Sequence, residues 1–215
     1  MDLLKMVYYG LLGICLVALL FNIKKLNKIY YWFIPLIILG ITVQVFGDVL
    51  KSREISGYSF VFHLYQPAEY SLLAMFYYSL INNNLIKKFI LGSIAAVVIF
   101  SAIYYSVNKQ SFWAGDFADF CIAAFFICMW VVFFFVELLR SEENLNLTSY
   151  PAFWINAGNL LFYGGCLLIM GVYYYLHNRD AVLAGELLKI NYYLNLILYC
   201  MYTIAFLCPV NWKKS

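Results

Sequence analysis

The chain has 215 residues, 65% of them hydrophobic and 20% aromatic, with 12% charged, a net charge of +3 and a mean hydropathy of +0.82. Soluble domains carry about 25% charged residues, so this composition excludes an ordinary soluble domain and indicates an integral membrane protein. The basic residues form small clusters at the ends of apolar runs, which excludes an extended nucleic-acid surface and reads instead as topology information.

Seven apolar runs predict seven spanning helices, at about 7–23, 29–48, 58–81, 86–106, 112–137, 152–176 and 187–208. The expected fold is an all-α polytopic membrane protein, a seven-transmembrane-helix bundle forming one integral domain over 1–215. Barrel strands would alternate over about ten residues and show no such continuous apolarity.

The first run is Leu-rich, holds Gly10 and Gly13, and ends in Lys24, Lys25 and Lys28. Asp2 and a single Lys5 precede it and no small-residue cleavage site follows it, so a cleaved signal peptide is not expected. The second opens with Tyr30, Tyr31 and Trp32, aromatics suited to the headgroup level, and closes with Gln44 and Asp48 on one face. A polar connector with Lys51, Arg53 and Glu54 leads to the third run, which carries His63, Gln66, Pro67 and Glu69. Lys87 and Lys88 open the fourth, and the fifth has Asp116 and Asp119 in its first turns. After a polar connector with Glu142 and Glu143, Pro151 stands at a helix start, where proline is tolerated. The sixth run contains Asn156, Asn159 and Tyr163 among glycines, and the last carries Lys189, Asn191, Asn195 and Tyr199 before stopping at Pro209, ahead of Lys213 and Lys214.

Seven spans put the termini on opposite sides. Eight Lys and Arg fall on the side of the C-terminus and six on the other, which predicts an outside N-terminus and a cytoplasmic C-terminus. In that orientation Gln44, Asp48, His63, Gln66, Asp116, Asp119, Lys189 and Asn191 share the outer half, with Glu69 at their floor. The expected feature is a polar cavity open outward.

Glu69 is eleven residues into its run, roughly 16 Å deep and near the midplane of a hydrocarbon core about 30 Å thick. An acid there is costly unless it is neutral, paired or facing water. Tyr65 and Gln66, four and three residues earlier, are placed to reach its carboxyl. Glu69 therefore reads either as a neutral acid donating an interhelical hydrogen bond or as a group binding a ligand, ion or proton. His63, Gln66 and Tyr70 share a face. His63 reads as a shallow titrating group or as a histidine bonded to water or backbone. Pro67 removes a backbone hydrogen bond and predicts a kink. Asp116 and Asp119, three apart, read as a cation- or proton-binding pair or as hydrated surface acids. Lys189 lies too near the start of its helix to hold a chromophore and reads as a snorkelling residue or a counter-ion for Asp180, Glu186 or the cavity acids. Asn156, Asn159 and Tyr163 read as helix–helix polar contacts, with Asn195 and Tyr199 as their expected partners. The six cysteines sit in apolar runs without metal-ligand spacing, so no disulfide, metal or cofactor is expected.

The segments His63-Leu-Tyr65-Gln-Pro-Ala-Glu69-Tyr70 and Phe153-Trp154-Ile-Asn156-Ala157-Gly158, continuing to Tyr163-Gly164-Gly165, carry a resemblance that spans the full chain. They resemble a group of uncharacterised bacterial seven-helix inner-membrane proteins with a Tyr-x-x-x-Glu segment followed by a Phe-Trp-Ile-Asn-Ser-Gly-like segment. Members are often encoded beside sensor histidine kinases, so the resemblance implies the bacterial inner membrane and a sensing or signalling accessory role. Ala157 stands where that group has serine and Gly164 also departs from its pattern.

Function classes separate on what each requires. The chain has two histidines, His63 and His177, and no metalloprotease or serine-hydrolase motif, so no catalytic residue is assigned and no enzyme is expected. A secondary transporter predicts paired broken helices, and only one proline-broken helix is visible. The expected function is a receptor-like or sensory accessory protein with an outward cavity centred on Glu69. The alternative is a small transporter or a proton- or ion-conducting protein using Glu69. The expected partners are the lipid bilayer, a small-molecule or lipid ligand and a membrane signalling protein, with no nucleic acid.

Overall fold

The structure is a computed structural model that describes residues 3–55, 57–113, 117–140, 147–177 and 179–208. Asp116, Glu142, Glu143, Pro209, Lys213, Lys214 and the side chain of His177 lie outside the described residues. Among the described residues there are no strands and eight α-helices: α1 (Leu3–Asn22), α2 (Phe33–Ser52), α3 (Phe60–Leu80), α4 (Asn84–Val107), the short α5 (Lys109–Trp113), α6 (Ala118–Arg140), α7 (Pro151–His177) and α8 (Ala181–Leu207). Six of them, α1, α2, α4, α6, α7 and α8, are long and apolar enough to cross a membrane. At 21 residues α3 has the length, but His63, Gln66, Pro67 and Glu69 dilute its apolarity.

The surface is apolar as well as the core. Phe21, Leu139, Leu168 and Val182 are each three-quarters exposed or more, whereas His63, Gln66, Asp119, Asn156 and Asn159 are buried. Such a surface suits lipid, where backbone and side-chain polar groups must be satisfied inside the protein.

The described residues pack as two compact units. One comprises residues 29–127. A 3-10 turn, Lys28–Trp32, runs into α2, with Pro35 in the first turn where its missing N–H is harmless. Aromatic packing holds α2 to α3: Phe33 meets Phe76 edge-on at 5.0 Å, and a side chain at Gly47 would strike the Phe62 ring. The end of α2 is closed by Glu54, whose φ of +54° is left-handed. Glu54 N–H donates to the Lys51 carbonyl at 3.1 Å and Ile55 N–H to that of Leu50 at 3.2 Å, the double closure usually built on glycine. Asn83 caps α4, its Oδ1 accepting from the N–H groups of Leu85 and Ile86, as the orphan donors of a helix start require. The fifth apolar run is not one helix from 112: α5 ends at Trp113 and α6 begins at Ala118.

The other unit comprises residues 1–28 and 128–215. Leu12, Cys15 and Leu19 of α1 are fully buried, and α1 packs on α8, with Tyr8 edge-on to Tyr199 at 5.8 Å. α7 and α8 make the closest pair. A Cβ at Gly158 would lie 3.0 Å from Met201 Cβ, and one at Gly165 would lie 2.8 Å from Leu194 Cδ1, so these glycines let the two backbones approach. α8 starts six residues before the expected 187 because Asp180 Oδ1 accepts from Val182 N–H at 3.1 Å and Leu183 N–H at 3.0 Å, a helix start set by a capping side chain rather than by apolarity.

Candidate functional site

The buried polarity of the 29–127 unit is organised by the facing sides of α3 and α4. On α3 the buried positions include His63, Gln66, Tyr70, Leu73 and Tyr77, and on α4 they are Ile90, Ser93, Val97, Ser101 and Tyr105, each set following helical spacing. The helices run antiparallel. Tyr105 Oη and His63 Nδ1 are hydrogen-bonded at 2.7 Å, and the Tyr70 and Ser93 hydroxyls are hydrogen-bonded. Between these two bonds lie Gln66 on α3 and Val97 and Ser101 on α4. Gln66 Nε2 and Ser101 Oγ are both buried and neither makes a hydrogen bond.

The third element is the start of α6. Asp119, 2% exposed, accepts through Oδ1 from Phe120 N–H at 2.8 Å and sits in the first helical turn, where the unpaired N–H groups favour a carboxylate. Its Oδ2 makes no hydrogen bond and lies 3.5 Å from His63 Nδ1. One imidazole nitrogen thus faces both a phenol and a carboxylate. With that nitrogen unprotonated, the Tyr105 hydroxyl donates to it and Asp119 Oδ2 meets a lone pair. With it protonated, the N–H faces Asp119 Oδ2 and the Tyr105 oxygen, and only when the other ring nitrogen is protonated as well is the contact an ion pair. The cluster can therefore exist in two hydrogen-bonding states, and buried polar groups left unpaired are costly enough to couple those states to packing.

Aromatic rings of α5 cover the histidine. The Phe112 ring lies 6.2 Å from that of His63 and 5.6 Å from that of Tyr105, and Trp113 packs on Phe60 at 5.4 Å. Gly57, at φ +76°, lies under the indole, where a Cβ would come within 3.1 Å of it. Only glycine meets both conditions at once.

The structure brings together His63, Gln66 and Asp119 of the sequence-read site. Tyr70 is on the same face, one step further along. Glu69 and Tyr65 are half-buried on the flank of α3, and both have interaction partners. Gln66 Nε2 does not reach Glu69, since it makes no hydrogen bond; its side chain belongs to the face turned to α4. Among the described acids Asp119 rather than Glu69 is the buried one, so the reading of Asp119 as a hydrated surface acid does not hold. Asp116 is outside the described residues. Tyr105, Ser101 and Ser93 were missed. Their signal was present, three hydroxyls eight and four residues apart in an otherwise apolar run, hence on one helical face.

Lys189 and Asn191 belong to the other unit. Lys189 is exposed and bonded to Glu186 Oε1 at 2.6 Å, a solvent-facing pair worth little to stability. Asn191 Oδ1 accepts from Cys166 Sγ–H at 3.1 Å and its carbonyl from Asn195 Nδ2 at 3.0 Å. Asn159 Oδ1 accepts from the Tyr202 hydroxyl, Asn156 Nδ2 donates to the Ala152 carbonyl at 2.8 Å, and Tyr163 is buried. Asn195, expected as a partner of Asn156 and Asn159, donates to the Asn191 carbonyl instead, and Asn159 is bonded by Tyr202, which the sequence reading did not name. Antiparallel α7 and α8 set Gly165 against Leu194 and Gly158 against Met201, which leaves Asn195 about one and a half turns from Asn159. All six cysteines are free thiols.

Comparison of the chain with family models, with curated proteins and with solved structures found no match.

Proposed function

We propose that this is a receptor-like sensory membrane protein, an accessory to signalling, whose responsive site is the His63, Gln66, Ser101, Tyr105 and Asp119 cluster with Glu69 beside it. In this reading α3 is the seventh span, the N-terminus is outside and the C-terminus is in the cytoplasm of a bacterial inner membrane. The observation that carries it is that Gln66 Nε2 and Ser101 Oγ are buried without a hydrogen bond on two facing helices, beside Asp119 Oδ2, which makes no hydrogen bond and faces His63 at 3.5 Å. A cluster selected for stability alone satisfies its members. One with a donor and an acceptor left open is suited to a small polar guest or a proton, whose arrival alters the contacts among α3, α4 and α6. The resemblance to proteins encoded beside sensor kinases supports the same class.

The test pairs two measurements on the purified protein. Thermal unfolding is followed against a panel of small amphiphiles carrying one hydrogen-bond donor and one acceptor, and proton flux is followed in liposomes loaded with a pH dye. A saturable thermal shift, lost in Gln66→Leu and Ser101→Ala and unaccompanied by flux, supports the receptor reading. Flux that Glu69→Gln abolishes while the fold survives replaces it with the conducting alternative.

A further inference from the structure

On α1, Gly10, Gly13, Ile14, Val17 and Phe21 line a groove of about 520 Å³ that Leu207 of α8 helps to close. The spacing of three and four puts all five α1 residues on one face. The groove exists because two of them are glycines: no heavy atom lies within 4 Å of the place where a Cβ would stand at Gly10 or Gly13. It extends to Asn22, twelve residues from Gly10 and about 18 Å along the axis, close to the depth of one leaflet of a core about 30 Å thick. Immediately past it the chain leaves the helix and presents Lys24, Lys25 and Lys28, all exposed.

We propose that this groove holds an acyl chain of an anionic phospholipid, with the headgroup on the lysines. Length and apolarity suit an acyl chain, and the charge selects its headgroup, since basic clusters at a membrane surface attract anionic lipids. A second copy of the chain fits less well. A symmetric partner seated on the same face in the same membrane brings its own Lys24, Lys25 and Lys28 to the same level, setting like charges together where an anionic lipid supplies the opposite sign. The site is distinct from the polar cluster and independent of the function proposed for it.

Full-length protein is reconstituted in vesicles of equal phosphatidylglycerol and phosphatidylcholine, and retained lipid is counted by native mass spectrometry after release. The expected result is phosphatidylglycerol retained over phosphatidylcholine by at least about fivefold, preference lost in Lys24→Gln/Lys25→Gln/Lys28→Gln, and retention of both lipids reduced in Gly10→Leu/Gly13→Leu. The lysine variant leaves the spans untouched and keeps the test decisive if the glycine variant fails to fold. Equal retention of the two lipids by the unmodified protein overturns the proposal. So does a preference that survives the lysine changes, or a lipid-free dimer that Gly10→Leu/Gly13→Leu disperses.

Discussion

His63 Nδ1 and Asp119 Oδ2 lie 3.5 Å apart with neither side chain more than 5% exposed, and Tyr105 shares the same nitrogen at 2.7 Å. Breaking a buried pair by removing one partner typically costs about 3–5 kcal/mol, whereas replacing both with apolar groups is often neutral. His63→Leu is therefore expected to lower stability by roughly 3 kcal/mol, and His63→Leu/Asp119→Leu by less than either single change. Thermal unfolding in detergent measures the cycle. If the losses of the two single variants simply add in the double variant, the two side chains are not energetically coupled.

Tyr105→Phe removes one hydroxyl and no packing. It takes the phenol from His63 Nδ1 while Asp119 Oδ2 still faces that nitrogen, at an expected cost of about 1–3 kcal/mol. Ser101→Ala removes a hydroxyl that has no partner and is expected to be neutral or slightly stabilising in the unliganded protein. The contrast between these two variants, measured side by side, checks the hydrogen-bond assignments of α4.

Gly158→Ala and Gly165→Ala look alike in sequence and should differ in effect. The added methyl at 158 meets Met201 Cβ, which is anchored to the backbone of α8, while at 165 it meets the far end of Leu194, which can rotate away. Overpacking of the first kind is expected to cost about 1–3 kcal/mol and the second less than about 1 kcal/mol. Equal losses would mean that α7 and α8 are not in the register described.

Glu54 holds a left-handed conformation that a side chain disfavours by roughly 1–2 kcal/mol. Glu54→Gly relieves this against the greater unfolded-state freedom of glycine, for a net gain of about 0.5–1 kcal/mol. That corresponds to a rise of roughly 2–3 °C in Tm for a chain of this size. A fall in Tm would show that the carboxylate makes a contact worth more than the strain.

Cys208, just beyond the end of α8, is partly buried, which pushes its thiol above the usual range. Burial disfavours the thiolate, the reactive form. In a variant keeping only this cysteine, maleimide alkylation at pH 8 should be slower than for a free thiol, with the rise in rate centred above about pH 8.5. A midpoint at about pH 8.5 would place the sulfur in open solvent.

Six apolar spans and the polar faces were legible because both follow from local rules. His63, Gln66 and Tyr70 share a face by spacing alone, and Pro151 begins a helix because proline tolerates that position. The helix starts at Ala181 and Ala118 were not legible, because neither coincides with a change in apolarity; at Ala181 the start is set by the Asp180 cap. Burial of Asp119 was hidden for a different reason. A residue in the first turn of a helix reads as shallow, and only the neighbouring α3 and the rings of α5 make it deep.

What the amino-acid order determined by itself was the environment: long apolar runs with polar groups at helical spacing have no stable solution in water and one in lipid, as all-α structure. What the tertiary structure decided was which polar groups meet. Antiparallel packing of α3 on α4 brought His63 to Tyr105 and Asp119, and the register of α7 on α8 gave Asn159 to Tyr202. Such pairings depend on the rotation and offset of one helix against another, and these are set by side-chain volumes summed over a whole interface rather than by any local pattern.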